Sequence, residues 1–385
     1  MARIALIVGA GIGGLSAGIA LQKAGWNVRI FERASSPREL GFGVSLAPNA
    51  VAALRELGVA DVVLARSFAP ATMSGEVRRM DGTVLKRGAF PVVAALGGQL
   101  AIALRPALHG ALLEAVGLER VAVSREATGF SLRDGRVTLH LTDGDVDGDL
   151  LVGADGVYST IRRVLHPTEQ APRPSNVVAI RGAVQGAHQH LGHHSGILYF
   201  GRGVESVLMR ASETGIYWYL SMARELLPPD LREPKAILAL MAPRFDDTFR
   251  AVTSATEDLR VDELFDRDPL PFWGEGVVTL LGDAAHPLLP HTGQGAAQAI
   301  VDAVTLGKRL SDGSGIERAL KAYEAERRPK TAVLVGQGRR TARIMRTMNP
   351  VACYMRELVL RMIPMTPVVK FFATINRRAG TDVRH

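Results

Sequence analysis

The chain has 385 residues, enough for two domains with well-buried cores, and an ordinary globular composition of 47% hydrophobic and 22% charged residues. Its one cysteine, Cys353, excludes a disulfide framework and a thiolate-rich metal site, and suits a reducing cytoplasm. The net charge of +8 sits at one end: residues 339–385 carry ten Lys or Arg against Glu357 and Asp382, so residues 1–338 balance to zero and offer no overall basic bias toward nucleic acid.

Residues 3–33 read as one unit. An apolar run at 4–8 fits a strand buried on both faces. Gly9, Gly11 and Gly14 form a GxGxxG turn, and the Ala- and Leu-rich stretch 15–24 reads as the helix that follows. A second strand at 27–31 ends on Glu32. In this arrangement Gly9 makes the tight turn and Gly11 lets backbone approach a pyrophosphate. Gly14 permits close packing, and Glu32 is placed for ribose hydroxyls. Five glycines in ten residues and a single leading Arg argue against a signal peptide or a membrane span here.

Small residues at 41–45 form a loop able to lie against a flat ring, and a helix runs from Pro48 to Leu57, ending at Gly58. Strands with a hairpin turn at Asp81-Gly82 occupy 72–90, and alternation continues over 92–104. Arg105 opens a helix to about Ala115, where the helix dipole disfavours a cation, so an outside anion or carbonyl is its natural partner. Strands fill 121–147. A buried strand at 150–153 leads to Asp155-Gly156, and Ser159 is placed to cap the helix 160–165.

Prolines near 172 mark a boundary, beyond which the pattern is β-rich, with strands at 177–180, 196–200, 205–210 and 215–222. Tyr217 and Tyr219 stand on an aromatic strand able to wall a pocket, with Arg210 and Arg181 on neighbouring strands. His188, His190, His193 and His194 share a loop without an adjacent acid or cysteine, and no metal site is assigned. Residues 234–249 read as helix.

A buried strand at 277–281 runs into Gly282-Asp283, and Pro290 with Gly293 and Gly295 leads into a helix over 296–310 that contains Asp302. Asp283 is placed for a polyol hydroxyl. The backbone N–H groups around Pro290 and Gly293 are placed to stabilise an anion on a ring edge. His286 has no evident partner and reads as structural. Residues 341–372 read as helices broken at Pro350 and at 364–367, with Val351, Met355, Leu358 and Met362 on one face and Arg356 and Arg361 beside it. Two readings of that tail stand: a helix packed over the N-terminal glycine-motif domain, or a weak contact with an anionic membrane surface.

Three ordered motifs, 9–14, 153–156 and 282–295, resemble those of the single-component FAD-dependent aromatic hydroxylases, the class A flavoprotein monooxygenases of p-hydroxybenzoate hydroxylase fold. The resemblance spans about residues 3 to 310. It implies an α/β protein: a Rossmann-like FAD-binding domain (1–71, 101–172 and 272–340), an inserted, mostly antiparallel β-sheet substrate domain (72–100 and 173–271), and a basic helical tail (341–385). It implies FAD contacts at Gly9, Gly11, Gly14, Glu32, Arg33, Val44, Arg105, Asp155, Asp283, Gly293, Gly295 and Ala296. It further implies reduction by NADH or NADPH and hydroxylation of an aromatic or heteroaromatic molecule with O2 through a flavin C4a-hydroperoxide. Pro290, Gly293, Tyr217 and Arg210 are the expected catalytic positions. Ala296-Ala297 stands where the family often has Asn. A flavin-dependent dehydrogenase or reductase and a non-catalytic flavin-binding protein are the alternatives. Monomer and homodimer both stay open.

Overall fold

The computed structural model describes residues 3–37, 42–91, 93, 96–290 and 293–362. Two large sheets organise the chain. The first has six strands in the order Gly274–Glu275, Val278–Leu280, Leu150–Gly153, Ile4–Val8, Asn27–Phe31 and Val121–Ala122, parallel except at the Gly274–Glu275 edge. Its central strands are apolar because both faces are covered, one by helix Ile12–Lys23 and the other by the three-stranded sheet of Ala127–Arg133, Arg136–Leu141 and Gly144–Gly148, whose Val137 and Leu139 join the same core. Helix Ile12–Lys23 packs along helix Gly295–Leu310. The contact is close because Gly307 lies against Ala20, where a side chain on residue 307 would meet the Ala20 Cβ at 2.9 Å.

The second sheet has seven strands in the order Leu259–Asp266, Arg173–Val184, Ile216–Ala223, Val204–Arg210, Gly196–Gly201, Thr72–Arg79 and Val84–Pro91. It is antiparallel except where Thr72–Arg79 runs parallel to Gly196–Gly201. Alternation gives its two faces different work. Trp218, Leu220, Leu208 and Tyr199 point to one face, where Phe245 and Phe249 of the helical segments behind the sheet close a separate core. The intervening residues, Tyr217 and Tyr219 among them, take the other face. Two three-stranded sheets complete the fold; one joins Gly43–Leu46, Ala101–Leu104 and Ser67–Phe68.

Several elements differ from the sequence reading. The alternation over 92–104 yields a strand at Ala101–Leu104, with no strand among the described residues of 92–100; residues 92, 94 and 95 lie outside the description. The single helix expected over 234–249 is two, Pro234–Met241 and Asp247–Ser254, separated where Pro243 enters a short 3-10 turn. Strand Leu259–Asp266 and the 30-residue helix Ile316–Met345 were not anticipated. The tail helix Pro350–Met362 packs on the seven-stranded sheet, not on the six-stranded one. Arg79 Nε donates to Glu357 at 2.7 Å, Arg356 donates to the Gly201 carbonyl at 2.9 Å over the Phe200 ring, and Gly203 N donates to Thr347 O at 2.9 Å. The helix breaks expected at 364–367 lie outside the described residues.

Candidate active site

Strand Ile4–Val8 delivers the chain to Gly9, whose φ is +100°. A Cβ on Gly9 would lie 2.5 Å from Ala154 O, and one on Gly14 would lie 1.9 Å from Gly9 O. Backbone contact therefore requires both glycines. Gly11 differs: its φ of −75° suits any residue, and a Cβ there would meet no protein atom within 4 Å. That open face lies at the start of helix Ile12–Lys23, which has no side-chain cap. Uncapped N–H groups at the positive end of a helix, facing open space, fit the pyrophosphate of a dinucleotide.

Glu32 accepts from Ala10 N and Ala34 N, both at 2.9 Å, so its carboxylate ties the glycine turn to the end of the second strand. A carboxylate oxygen has two acceptor positions, which leaves one on each oxygen for a ribose hydroxyl. Arg33 beside it is exposed.

The second motif lies against the first, with Asp155 Cα 3.1 Å from the Cβ position of Gly9. Its carboxylate serves the helix that follows: it accepts from Ser159 Oγ and, at 2.7 Å, from Thr160 N. Burial raises the Asp155 pKa, against the pull of these hydrogen bonds. Ser159 is the N-cap, its Oγ accepting from Arg162 N at 2.9 Å. Ser159→Ala removes both bonds and should cost about 1 kcal/mol, measured by urea denaturation.

The third motif is held from below. Gly282 N donates to Asp302 Oδ2 at 3.1 Å, and His286 N donates to Gly282 O at 2.8 Å. The same Asp302 carboxylate meets His286 Nε2 at 2.5 Å and accepts from Arg327 Nε at 2.7 Å. All three side chains are buried. Burial would raise the pKa of Asp302, but His286 and Arg327 outweigh it and lower the carboxyl to about 2. With Gly282 fixed, Asp283 projects outward, exposed, and its Oδ1 is 3.9 Å from the Cβ position of Gly295. Gly295 begins a helix that also lacks a side-chain cap, and Ala296 beside it is half-buried. Gly293 N donates to Pro290 O at 2.9 Å, and Pro290 is exposed. Residues 291 and 292 lie outside the description.

The small sheet containing Gly43–Leu46 meets the seven-stranded sheet here. Ser45 Cβ is 3.5 Å from the Cβ position of Gly293, and the neighbouring Val44 is buried. Gly43 lies flat on the Tyr217 ring, where a Cβ would come within 2.1 Å of Tyr217 Cγ. Arg105 N donates to Phe42 O at 3.2 Å, and the Arg105 charge acts on the Tyr217 phenol. Tyr217, Tyr219, Ser221, Ala179 and Arg181 line one pocket with Pro290. Burial raises the Tyr217 pKa; burial and the Glu205 carboxylate raise that of Tyr219 well above the usual phenol range. Both phenols stay protonated and can donate hydrogen bonds. Tyr219 does so to Glu205 Oε1 at 2.9 Å, and Arg181 pairs with Asp262 at 3.4 Å.

Arg210 is the exception among the expected pocket residues. In register, Met209 opposes Tyr217 and Val207 opposes Tyr219, so alternation turns Arg210 off their face. Its guanidinium lies over Phe68 instead, 5.8 Å from the ring centroid. Glu205 and Asp262, which the sequence reading passed over, take part in its place. The wider cleft between helices Pro234–Met241 and Asp247–Ser254, about 780 Å³, lies behind the sheet on the Trp218 side and plays no part in this site.

Comparison with known proteins agrees with this geometry. A family model described as FAD binding domain matches residues 3–337. The Aurachin C monooxygenase/isomerase of Stigmatella aurantiaca is 33% identical, over 93% of this chain and 94% of its own length. The 3-amino-4-hydroxybenzoate 2-monooxygenase of Streptomyces cremeus is also 33% identical, over 88% and 86%. The crystal structure of Klebsiella pneumoniae HpxO complexed with FAD and uric acid superposes with a TM-score of 0.89 at 26% identity, over 98% of this chain and 97% of that one. The chain belongs to the FAD binding domain family and is an FAD-dependent monooxygenase.

Proposed function

We propose that this family member hydroxylates an aromatic or heteroaromatic small molecule at the narrow pocket, about 40 Å³, between Pro290 and the Tyr217 face of the seven-stranded sheet, which must widen to admit it, with NADH or NADPH as reductant and O2 as co-substrate. The observation that carries the reading is convergence. Three glycine-rich segments from distant parts of the sequence adjoin one another, Gly9 against Asp155 and Gly13 against Leu281, and the third reaches the Tyr217 sheet face through Pro290. FAD, when bound, supplies the redox chemistry that activates oxygen.

The chain's own residues then have distinct tasks. Backbone N–H groups at Gly11 and the helix after it hold the pyrophosphate, Glu32 takes a ribose, and Asp283 takes a polyol hydroxyl. Arg105, Val44, Arg33, Gly295 and Ala296 border the same cofactor. Pro290 and Gly293 shape the turn at the ring edge, and the uncapped N–H groups at the start of helix Gly295–Leu310 hold negative charge there. Tyr217 and Tyr219 wall the pocket and keep water out, and Tyr217, neutral at working pH, donates to an oxygen of the substrate. Arg181, half-neutralised by Asp262, favours a substrate carrying an acidic or enolic oxygen. The urate and aminohydroxybenzoate named for the relatives are of that chemical kind. The proposal includes peripheral contact of the basic tail with an anionic membrane.

The test is NAD(P)H oxidation by FAD-loaded protein with a panel of phenolic acids, quinolones and purines, following O2 and H2O2. Stimulated oxidation with oxygen in the product is expected; oxidation without oxygen insertion for every compound would favour a dehydrogenase. Tyr217→Phe keeps the ring and loses the donor. It should lower kcat roughly tenfold with FAD content unchanged. Unchanged turnover would remove Tyr217 from the site.

A further inference from the structure

Among the described residues, exposed large apolar side chains crowd one short stretch. Met348, Val351, Tyr354, Met355, Val359 and Met362 are all exposed, Val351 at 68% and Met362 at 72%. Ile344, at the end of the preceding helix, adds to them. On helix Pro350–Met362, residues 351, 355, 358, 359 and 362 fall on one side, a stripe about 100° wide. The opposite side is used up by the protein: Cys353 is buried, and Arg356 and Glu357 are tied to Gly201 and Arg79. The helix is thus docked by its polar side and presents its apolar side outward, the reverse of an ordinary surface helix.

The rim of this patch is cationic. Arg340, Arg343 and Arg361 are exposed, and Glu357, the one acid of residues 339–362, faces the sheet. The sequence beyond adds Lys370, Arg377, Arg378 and Arg384 against Asp382. A symmetric pairing of two copies through this face would bring like charges together. An anionic bilayer would accept both the apolar stripe and its rim. No helix among the described residues is long and apolar enough to cross a membrane, so the contact is peripheral.

The helix that ends beside the patch packs, by its opposite side, on the wall of the pocket. Ala342, two residues before Ile344, packs in one buried cluster with Leu289 and with Ala179, which itself lines the pocket beside Pro290. We infer that the outward face of residues 344–362 seats the protein on an anionic lipid surface, with the pocket held beside the bilayer so that an apolar aromatic substrate is loaded from it. The seating stands alone; the loading rests on the hydroxylase reading.

The experiment is co-sedimentation of FAD-loaded protein with phosphatidylcholine vesicles, with and without phosphatidylglycerol, at low and high salt. Binding is expected to the anionic vesicles, to fall with salt, and to drop roughly tenfold or more in Met355→Glu/Val359→Glu. These side chains are exposed, so the variant's melting temperature and FAD content should match the parent's; Arg343→Glu/Arg361→Glu provides a second, independent loss of binding. No binding to any vesicle, or binding that both variants retain, overturns the proposal. So does a parent dimer that Met355→Glu/Val359→Glu converts to monomer without any vesicle binding. NAD(P)H oxidation in vesicle-free buffer tests the hydroxylase reading separately.

Discussion

Gly11→Ala should fold as stably as the parent and bind FAD roughly 10- to 100-fold more weakly, the equivalent of losing one or two hydrogen bonds to a charged group. The neighbouring Gly14→Ala should lose FAD altogether and melt lower as well. The two glycines stand three residues apart in one motif, yet the protein needs them for different reasons. At Gly14 a Cβ would sit 1.9 Å from Gly9 O, so strand and helix would have to separate. At Gly11 the backbone is ordinary and the added methyl meets no protein atom. Whatever that methyl obstructs must come from outside the chain. Thermal denaturation of the apoproteins and FAD titration by flavin fluorescence separate the two cases. An unchanged Kd for Gly11→Ala would show that no phosphate approaches this turn. Equal losses of stability in both variants would show that Gly11, too, serves only the fold.

The contrast also shows what sequence can convey. The GxGxxG spacing, the strand before it and the acid after it are local features, and local chemistry dictates them: a tight turn, a close approach, a helix start. The same holds for Ser159, a cap named from its place before a short helix and found accepting from Arg162 N. Alternation likewise located the strand carrying Tyr217 and Tyr219. It did not settle which neighbours share their face, because strand pairing sets that. One position of register separates Met209, opposite Tyr217, from Arg210, which leaves for Phe68.

Partners distant in sequence were out of reach for the same reason. Asp262 comes to Arg181 from a strand whose charged residues, 260, 262 and 263, disguise its period. Glu205 reaches Tyr219 across a strand pair. Helix Ile316–Met345 carries Pro329, Gly336 and Gly338, each a local breaker, and it persists because packing supplies what propensity withholds. Leu289 packs against the helix at Gly338, 3.6 Å from the position a Cβ would take there, an ordinary contact. The tail's amphipathic stripe was legible as a pattern. Which side faced the protein was not, since the inward side is polar and held by Arg79 and Gly201.

Asp302→Ala should cost about 3–5 kcal/mol of stability, because it leaves Arg327 buried with its principal countercharge gone. A lone acid in an apolar helix was visible in the sequence; its three partners were not. The carboxylate joins Gly282 N, His286 and Arg327, so it couples the buried ion pair to the turn that presents Asp283. Stability and cofactor affinity can therefore be separated. Replacing both partners by apolar residues, Asp302→Leu with Arg327→Met, should recover most of the lost stability, as buried ion pairs often permit. It should not recover FAD affinity, because the Gly282 N–H then has no acceptor and the turn is no longer fixed. The pH dependence has a definite sign. A folded pKa of about 2 lies below the ordinary carboxyl value near 4, so the stabilisation is complete above about pH 4 and is lost as pH falls through about 2. Denaturant melts from pH 7 to pH 2 should therefore show a steeper acid loss in the parent than in the double variant. If the double variant binds FAD as the parent does, Asp302 supports the core alone, and the placement of Asp283 must come from helix Gly295–Leu310 instead.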